Sequence, residues 1–506
     1  MSKKLFNKIL VSNRGEIAVR VINACRLLGI PTLAIYSTAD KNAVHVKSAD
    51  EAVEIGPPAP RESYLNISKI IETALQNNCD AIHPGYGFLA ENPDFPDKCK
   101  EAGVVFIGPS GESMRLMGNK VQARIKMAGA GVPLIPGMKA AGATLDEFEK
   151  AADDAGYPVL IKAAAGGGGK GMRVVKDKKD LKDSVEAAKR EAKNAFDDDT
   201  VYLEKYIEDP RHIEFQVLAD SFGNVIHLYE RECSIQRRHQ KIIEETPSIA
   251  VTPDIRKKMG EAAVKVTQAA DYVNAGTIEF LLDKNGGFYF LEMNTRVQVE
   301  HPVTEMVTGV DLVAEQIKIA AGEKISESAI KAVQTGHSIE CRIYAEDAEN
   351  GFLPSSGKIL FYNEPAGPGI RVDTGVTGGV TVGVEYDPIL AKLIVHAPDR
   401  DLAISKMINA LKDYKILGIR TSRKFMMDVL EHAEFKAGRT YTDFIDRNMG
   451  DREVDTELVE LAAAVSSAAM MSKSAISSGS WDQKQASLPS VWEMIGNWEI
   501  GMRISK

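Results

Sequence analysis

The hydrophobic pattern predicts alternating strands and helices at the start of the chain. Short apolar runs such as KILVS (8–12) and PTLAIYS (31–37) alternate with stretches whose apolar residues recur every three or four positions. In the stretch 15–28 four such residues share one helix face, and Gly29 is a typical helix stop. Because this alternation continues to about residue 115, we predict a doubly wound parallel sheet, an N-terminal α/β domain over 1–115.

Four further segments follow from the same pattern. The apolar spacing predicts one continuous helix over 110–133 with Lys120 in its middle, and we assign 116–133 as a helical linker. Mixed strands and helices predict a small domain at 134–207 and a larger α+β domain at 208–448. The tail, 449–506, combines an Ala-rich helix pattern with a Ser-rich stretch and contains all three tryptophans. It predicts either a docking element for a partner or a segment packed on the protein's own surface.

A β-hairpin is predicted around Asn285-Gly286. Apolar and aromatic runs at 277–282 and 288–293 flank this dipeptide, which favours a tight turn. With a two-residue turn the numbers of paired residues sum to 571, so Glu279 faces Glu292; a bulge at Gly287 would shift the pairing by one.

Two facing carboxylates repel each other unless a cation lies between them. Hard oxygen ligands favour Mg²⁺ that holds substrate phosphates, whereas two solvated glutamates on an outer face are the alternative. In an extended chain the even-numbered residues after Glu292 share its face, which predicts the wall of an active site. These residues are Asn294, Arg296, Gln298 and Glu300.

The run AAAGGGGKGM places four consecutive glycines at 166–169, between two predicted strands. So much backbone freedom favours a flap whose N–H groups cover a polyphosphate, with a flexible linker as the alternative. It is not a Walker A loop, because Lys170 is followed by glycine. Lys162 lies one residue before the loop region and is placed to reach phosphate oxygens, and the segment 204–207 could face an adenine edge.

Three other stretches carry candidate chemistry. The run 233–245 concentrates Arg237, Arg238, His239 and Lys241, which indicates a solvated surface or, beside the carboxylate wall, a site for a small anion. HPGYGFLAEN (83–92) is a polar loop at the end of a strand, where open α/β sheets bind ligands; a purely structural loop is the alternative. On the strand within 336–347, Glu340 and Arg342 share one side.

Composition excludes several classes of function. Of 506 residues, 44% are hydrophobic and 26% charged, which is ordinary for a globular protein, and the net charge of −9 argues against a nucleic-acid surface. The five cysteines are scattered without CxxC spacing, which argues against a zinc site and favours a reducing cytoplasm. No signal region and no long apolar window is present, so we expect a cytoplasmic protein without a membrane partner.

Many short motifs between residue 4 and about residue 447 resemble the biotin carboxylase component of biotin-dependent carboxylases, within the ATP-grasp superfamily. They include SNRGEIAVR, HPGYGFLAEN, LMGNK, AAAGGGGKGM, EKYIEDPRHIE, ERECSIQRRHQK, EMNTRVQVEHPVTE, ECRIYAED and FLPSSGKI. The resemblance implies an ATP-grasp fold with an N-terminal α/β domain, a small glycine-flap lid domain and a larger C-terminal domain. It also implies ATP- and bicarbonate-dependent carboxylation of biotin through carboxyphosphate, a ligase reaction.

The resemblance assigns roles by position. It implies ATP contacts at Lys120, Lys162, Gly166, Gly167, Gly168, Gly169, Glu204, Lys205, Ile207, His212, Gln236 and His239. It implies Mg²⁺ ligands at Glu279, Glu292 and Asn294, for two ions that Mn²⁺ could replace. It implies bicarbonate binding by Lys241, Arg296, Gln298, Val299 and Glu300, of which Lys241, Arg296 and Glu300 are catalytic and Glu300 is the general base. It implies that Tyr86 lies near biotin and that the catalytic Arg342 stabilises the biotin enolate.

The partners are also implied by the resemblance. The chain has no Ala-Met-Lys-Met type hairpin and no carboxyltransferase-sized region after residue 448, so we expect a separate biotin carboxyl carrier and a separate carboxyltransferase subunit. The resemblance implies a homodimer as well. The final acceptor could be acetyl-CoA, propionyl-CoA or pyruvate. The alternatives are another carboxyphosphate-forming ATP-grasp ligase and a non-catalytic scaffold for assembly.

Overall fold

In the computed structural model of the protein, the described residues are 5–138, 143–163, 172–238 and 240–450. Residues 451–506 of the predicted tail, residues 166–169 of the predicted glycine flap and His239 therefore lie outside them. All five cysteines are buried and free of disulfides. Within the described part of the chain, no helix has the length and apolar character needed to cross a membrane.

The first elements form a five-stranded parallel sheet in the order β3-β2-β1-β4-β5, as the alternating pattern predicts. Its central strands β1, β2 and β4 are buried whereas the edge strands β3 and β5 are largely exposed, and α1 packs Ile17, Val21 and Ala24 into the core. The elements are β1 (Ile9–Val11), α1 (Gly15–Leu27), β2 (Thr32–Ser37), α2 (Val44–Ser48), β3 (Glu51–Gly56), α3 (Ile67–Gln76), β4 (Ala81–His83), α4 (Asp94–Glu101) and β5 (Val105–Phe106).

The predicted continuous helix over 110–133 is wrong, because two helices replace it: α5 (Gly111–Gly118) and α6 (Lys120–Gly129). Asn119 separates them in an extended conformation, and its side chain accepts a hydrogen bond from the N–H of Gln122. An asparagine that caps the second helix stabilises this break. Lys120 is consequently the first residue of α6 and not a mid-helix residue.

A small three-stranded antiparallel sheet, ordered β7-β6-β8, follows. Two amphipathic helices pack on it and form a core of their own with Phe148, Val159 and Ile161. The elements are α7 (Leu145–Ala155), β6 (Val159–Ala163), β7 (Arg173–Val175), α8 (Leu181–Phe196) and β8 (Val201–Lys205).

The largest sheet has eight antiparallel strands in the order β13-β12-β9-β10-β11-β14-β21-β19, so it brings distant parts of the chain side by side. The first elements in this part of the chain are β9 (Arg211–Ala219), β10 (Val225–Arg237), β11 (Gln240–Thr246), α9 (Pro253–Ala269), β12 (Asn274–Leu282), β13 (Phe288–Asn294), α10 (His301–Thr308), α11 (Leu312–Ala320), α12 (Glu327–Ile330) and β14 (His337–Tyr344). They are followed by β15 (Glu346–Asp347), β16 (Leu353–Pro354), β17 (Gly357–Lys358), β18 (Phe361–Asn363), β19 (Ile370–Thr374), β20 (Thr381–Val382), β21 (Ile389–Ala397), α13 (Arg400–Asp413), β22 (Lys415–Leu417), α14 (Arg423–Glu431), α15 (Ala433–Lys436) and α16 (Phe444–Asn448). Outside the large sheet, β15 pairs with β16, β17 with β20 and β18 with β22.

The hairpin β12–β13 has the predicted pairing at its two carboxylates, since Glu279 faces Glu292. The two-residue turn is wrong: five residues, 283–287, connect the strands, and the Asp283 side chain accepts from the N–H groups of Asn285 and Gly287. The register shift falls between Glu279 and Phe280 rather than at Gly287. The strand also ends at Asn294 and does not continue to residue 300.

Candidate active site

One cavity of about 1440 Å³ collects the candidate residues from the N-terminal sheet, the small sheet and the large sheet. The predicted site residues that line it are Tyr86, Lys120, Lys162, Glu204, Lys205, Ile207, His212, Gln236, Lys241, Glu279, Glu292, Asn294, Arg296, Gln298, Val299, Glu300 and Arg342. Residues 166–169 and His239 lie outside the described residues. Every residue to which the family resemblance assigns a role, within the described ranges, therefore borders the same space.

Lys241 is at the centre of the cavity's charge cluster. Its Nζ lies 2.5 Å from Glu214 Oε2, 2.7 Å from Glu300 Oε1 and 2.8 Å from Glu279 Oε1. These carboxylates come from β9, β12 and the segment before α10, so one ammonium group joins three parts of the chain. An ammonium has three donors, and each is matched here by an anionic acceptor.

The charges in this cluster set the protonation states. Burial opposes ionisation of Glu300, but Lys241 and Arg342 hold the pKa of its carboxyl below the usual range. Likewise, Lys241 and His212 overcome burial and hold the pKa of Glu279 well below its usual range. In return, the three carboxylates overcome the burial of Lys241 and raise its pKa well above the usual value. Glu279 and Glu300 are therefore ionised and Lys241 is protonated at neutral pH.

Glu279 and Glu292 form a candidate metal site. Glu279 Oε1 accepts from Asn294 Nδ2 at 2.8 Å and from Gln298 Nε2 at 2.9 Å, and its Oε2 lies 3.0 Å from His212 Nε2. Burial and the neighbouring Glu279 charge raise the pKa of Glu292. A divalent cation between these two carboxylates would remove that repulsion, and hard carboxylate oxygens suit Mg²⁺. The donor set therefore fits magnesium.

Arg342 links the far end of the cavity to the same cluster. Its Nε donates to Glu244 Oε1 at 2.6 Å, and its Nη2 donates to Glu300 Oε2 at 2.9 Å. Glu300 thus touches two cations, one through each oxygen. The predicted neighbour Glu340 lies deeper, on the part of β14 that pairs with Glu244, and it does not line the cavity.

The opposite end carries a simpler charge pair. Lys162 Nζ on β6 donates to Glu204 Oε2 on β8 at 3.0 Å, and Arg124 pairs with the other Glu204 oxygen. The side chain of Lys205 donates to the carbonyls of Gly156 and Tyr157 at 2.8 and 3.0 Å, so it stabilises the small sheet. Both the side chain of Lys205 and its backbone N–H, which donates to the carbonyl of Pro136 at 2.7 Å, are therefore bonded within the protein.

Comparisons with known proteins identify the family. Three family models match: "Biotin carboxylase, N-terminal domain" over residues 5–114, "Carbamoyl-phosphate synthase L chain, ATP binding domain" over 119–328, and "Biotin carboxylase C-terminal domain" over 340–447. The biotin carboxylase of a Nostoc species is 53% identical over 440 residues, which cover 87% of this chain and 98% of that protein. The chain belongs to the biotin carboxylase family.

A further relative and a solved structure agree with this family assignment. A pyruvate carboxylase subunit of Methanothermobacter thermautotrophicus is 52% identical over 90% of this chain and 92% of its own length. The crystal structure of a Campylobacter jejuni biotin carboxylase in an ATP complex has a TM-score of 0.84, with 47% identity over 88% of this chain and 99% of that one. The fold is thus the ATP-grasp fold of this family. The chain is an ATP-dependent ligase, a biotin carboxylase, whose cofactors are ATP and Mg²⁺ and whose substrate is carrier-bound biotin.

Four residues that contact and orient predicted site residues were not predicted from the sequence. Glu214 and Glu244 hold Lys241 and Arg342, and Glu91 Oε2 lies 3.0 Å from Arg296 Nε. Lys392 on β21, fully buried, donates to the carbonyl of Val299 at 2.9 Å. A signal for Glu214 exists in the sequence, because His212, Glu214 and Gln216 alternate with apolar residues along a strand that is buried on both faces.

Proposed function

We propose that this biotin carboxylase performs its chemistry through the charge cluster around Lys241, with the roles of the individual residues as follows. The observation that carries the proposal is that Glu300 lies between Lys241 and Arg342, at 2.7 and 2.9 Å. A carboxylate kept ionised between two cations can accept a proton, and the same two cations can hold small anions on either side of it.

At the nucleotide end, Lys162 and the N-terminus of α6 at Lys120 bind phosphate oxygens, and the backbone of 204–207 contacts the base. Lys162 is already aligned by Glu204, so ATP exchanges one anionic partner of this lysine for another. Glu279 and Glu292 would hold Mg²⁺ with help from Asn294, and the bound ion would supply positive charge to the phosphate oxygens while charge moves to the leaving group.

At the bicarbonate end, Lys241, Arg296, Gln298 and the backbone at Val299 bind the anion. Glu300 takes its proton, so that the oxyanion attacks the γ-phosphorus of ATP and yields carboxyphosphate and ADP. Bicarbonate bound at Lys241 adds a negative charge near Glu300, which raises the basicity of Glu300 at the moment a base is needed.

Arg342 and Tyr86 form the biotin end of the cavity. Carboxyphosphate breaks down to CO₂ and phosphate, and this phosphate takes the proton from the ureido nitrogen of biotin. Arg342 stabilises the ureido oxygen as negative charge develops there, and the deprotonated nitrogen then attacks CO₂. The guanidinium is fixed by Glu244, so it need not reorganise during the step. Glu300 lies between the two substrates and contacts the cations of both.

Partners follow from the family. Biotin carboxylases act with a biotin carrier and a carboxyltransferase, and one relative is named as a subunit of pyruvate carboxylase. A structure of the biotin carboxylase domain of Hydrogenobacter thermophilus 2-oxoglutarate carboxylase, 47% identical, is a dimer with MgADP and bicarbonate. We therefore propose that this chain forms a homodimer and serves a carboxyl acceptor chosen by a separate carboxyltransferase subunit.

The test is ADP release from Mg-ATP with bicarbonate and free biotin. We expect release that requires bicarbonate and is accelerated by biotin, and Glu300→Gln should lower that rate by about 10²- to 10⁴-fold, the usual contribution of a general base. Glu385→Gln, at an exposed carboxylate on the edge of the same cavity, is the matched control and should keep the wild-type rate. Release without acceleration by biotin would favour another carboxyphosphate-forming ligase, and unchanged carboxylation by Glu300→Gln in a reconstituted complex would favour a scaffold.

A further inference from the structure

Beneath the cavity lies a buried arginine that contacts none of the substrate space. Arg231, on β10, has no exposed surface and does not line the cavity. Its guanidinium donates to Glu214 Oε1 at 2.5 Å, Gln216 Oε1 at 2.8 Å, Gln298 Oε1 at 2.9 Å, Thr304 Oγ1 at 3.0 Å and Thr277 Oγ1 at 3.1 Å. The acceptors belong to β9, β12, α10 and the segment that joins β13 to α10.

One of these acceptors, Gln298, belongs to the bicarbonate end, and a second, Glu214, holds Lys241 there. Gln298 accepts from Arg231 through Oε1, so its Nε2 faces the opposite way and donates to Glu279 at 2.9 Å. An amide that is free to rotate could present either its oxygen or its nitrogen to the cavity. With Arg231 in place, only the donor side faces the cavity, which is the side that an anion needs.

Glu214, a second acceptor of Arg231, fixes the position of Lys241. Glu214 gives Oε1 to Arg231 and Oε2 to Lys241 Nζ, the latter at 2.5 Å. A carboxylate held at one oxygen by a buried guanidinium cannot turn away from the ammonium at its other oxygen. Arg231 therefore fixes the lysine indirectly, through Glu214, while it fixes Gln298 directly.

We propose that Arg231 is a positioning residue for bicarbonate recognition, which it controls by orienting the Gln298 amide and the Glu214–Lys241 pair. This inference rests on the bicarbonate site given under Proposed function. Arginine suits the task because its planar group offers five N–H donors in fixed directions, whereas lysine offers three from one point. Lysine at this position would keep the positive charge and lose the geometry.

The test compares Arg231→Lys with wild type in the full chain, using bicarbonate-dependent ADP release. We expect the KM for bicarbonate to rise on the order of tenfold, because each misplaced charged hydrogen bond contributes about that factor. The KM for ATP should change less than about threefold, since Lys162 and Glu204 have no contact with Arg231, and a general loss of structure would move both constants. Arg256→Lys, at an arginine paired with Glu230 outside the cavity, is the matched control and should leave both unchanged.

A second variant at residue 231 tests the inference if the first one does not fold. If Arg231→Lys does not fold, Arg231→Gln keeps planar N–H donors at this position and leaves Glu214 paired with Lys241 through its other oxygen, so no carboxylate loses its last cation. The same rise in the KM for bicarbonate is expected, and a KM within about threefold of wild type in either folded variant would overturn the inference. Wild-type protein without bicarbonate-dependent ADP release would refute the proposed function and this inference together, whereas active wild type with an unaffected variant refutes the inference alone.

Discussion

Two lysines lie within the large sheet, and they differ in how closely their carboxylates approach. Lys241 has three carboxylate oxygens between 2.5 and 2.8 Å of its Nζ. Lys392 is more deeply buried, but its nearest acceptor is the carbonyl of Val299 at 2.9 Å, and Glu16 and Asp373 lie at 3.4 and 3.7 Å. Asp373 has a closer partner in Arg371 at 2.7 Å.

The distances decide the charge of the carboxyls. Around Lys241, close contact keeps Glu279 and Glu300 ionised in spite of burial. Around Lys392, burial dominates instead: it raises the pKa of Glu16 to about 7 and the pKa of Glu340 well above its usual value. Depth alone therefore does not determine protonation, because a cation in direct contact reverses the effect of burial and a cation at longer distance does not.

The largest expected effect comes from removing each cation in turn. Lys241→Met leaves three carboxylates without their shared partner and should lower the free energy of unfolding by about 3 kcal/mol or more, the usual cost of breaking a buried ion pair. Lys392→Met should cost less, about 1–2 kcal/mol, because Glu16 and Glu340 can stay neutral and lose mainly a hydrogen bond nearby. Urea unfolding at pH 7 measures both variants.

Lys331→Met provides the control for this pair, since its ion pair with Glu327 joins two exposed side chains, 71% and 80% accessible to solvent. A change near zero is expected there. Equal losses for Lys241→Met and Lys392→Met would contradict the view that close contact, and not depth, determines the energetic weight of the two lysines.

The Lys241 region was largely predictable from the sequence, and the Lys392 region was not. The pairing of Glu279 with Glu292 across the hairpin follows from hairpin geometry, which depends only on residues that are close in the sequence. The exact turn and the end of β13 were missed, because Asp283 side-chain bonds and the bulge after Glu279 depend on local detail that the apolar pattern does not carry. Lys392 sits in DPILAKLIV, an ordinary strand pattern.

What places Lys392 and Arg231 at the site is sheet order. β21 lies beside β14, and β10 lies between β9 and β11, although their sequence numbers are far from 279–300. A sequence pattern shows that a strand is buried but not which strand becomes its neighbour. The roles of the cavity residues were predicted from the family resemblance together with the alternation of side chains along a strand. The positions of Lys392 and Arg231 behind the cavity could be found only from the structure.

A change of pH should separate the two regions with opposite signs. Glu16 in the folded protein keeps its proton up to about pH 7, whereas the unfolded carboxyl loses it near its ordinary value of 4.5. The folded state therefore binds more protons between these values, so the stability from Glu16 is complete below about pH 4.5 and is lost as pH rises through 7. Glu279 has a lowered pKa, so its contribution is present above about pH 4.5 and is lost as pH falls.

Glu16→Gln makes this difference measurable. The variant has no titrating group at this position, so the stability of wild type relative to the variant should fall by roughly 2 kcal/mol between pH 5 and pH 7.5, from about 1.4 kcal/mol per pKa unit. Urea unfolding at these two values gives the result. Glu54→Gln, at an exposed carboxylate, should show no such trend, and a pH-independent difference for Glu16→Gln would mean that Lys392 keeps Glu16 ionised after all.

The smallest expected effect is a change in the KM for bicarbonate. It tests whether Lys392, the lysine with the longer distances to its carboxylates, helps to form the bicarbonate site. Lys392→Met removes the donor to the Val299 carbonyl, in the segment proposed to bind bicarbonate. One hydrogen bond of about 1 kcal/mol corresponds to roughly a fivefold rise in the KM for bicarbonate. Lys406→Met is the control, because its Nζ also donates to a carbonyl at 2.7 Å, but that carbonyl belongs to His396, which is not among the residues proposed to bind bicarbonate. If both variants kept the wild-type KM, Lys392 would stabilise the fold without shaping the bicarbonate site, and the role of positioning the segment would rest on Arg231 alone.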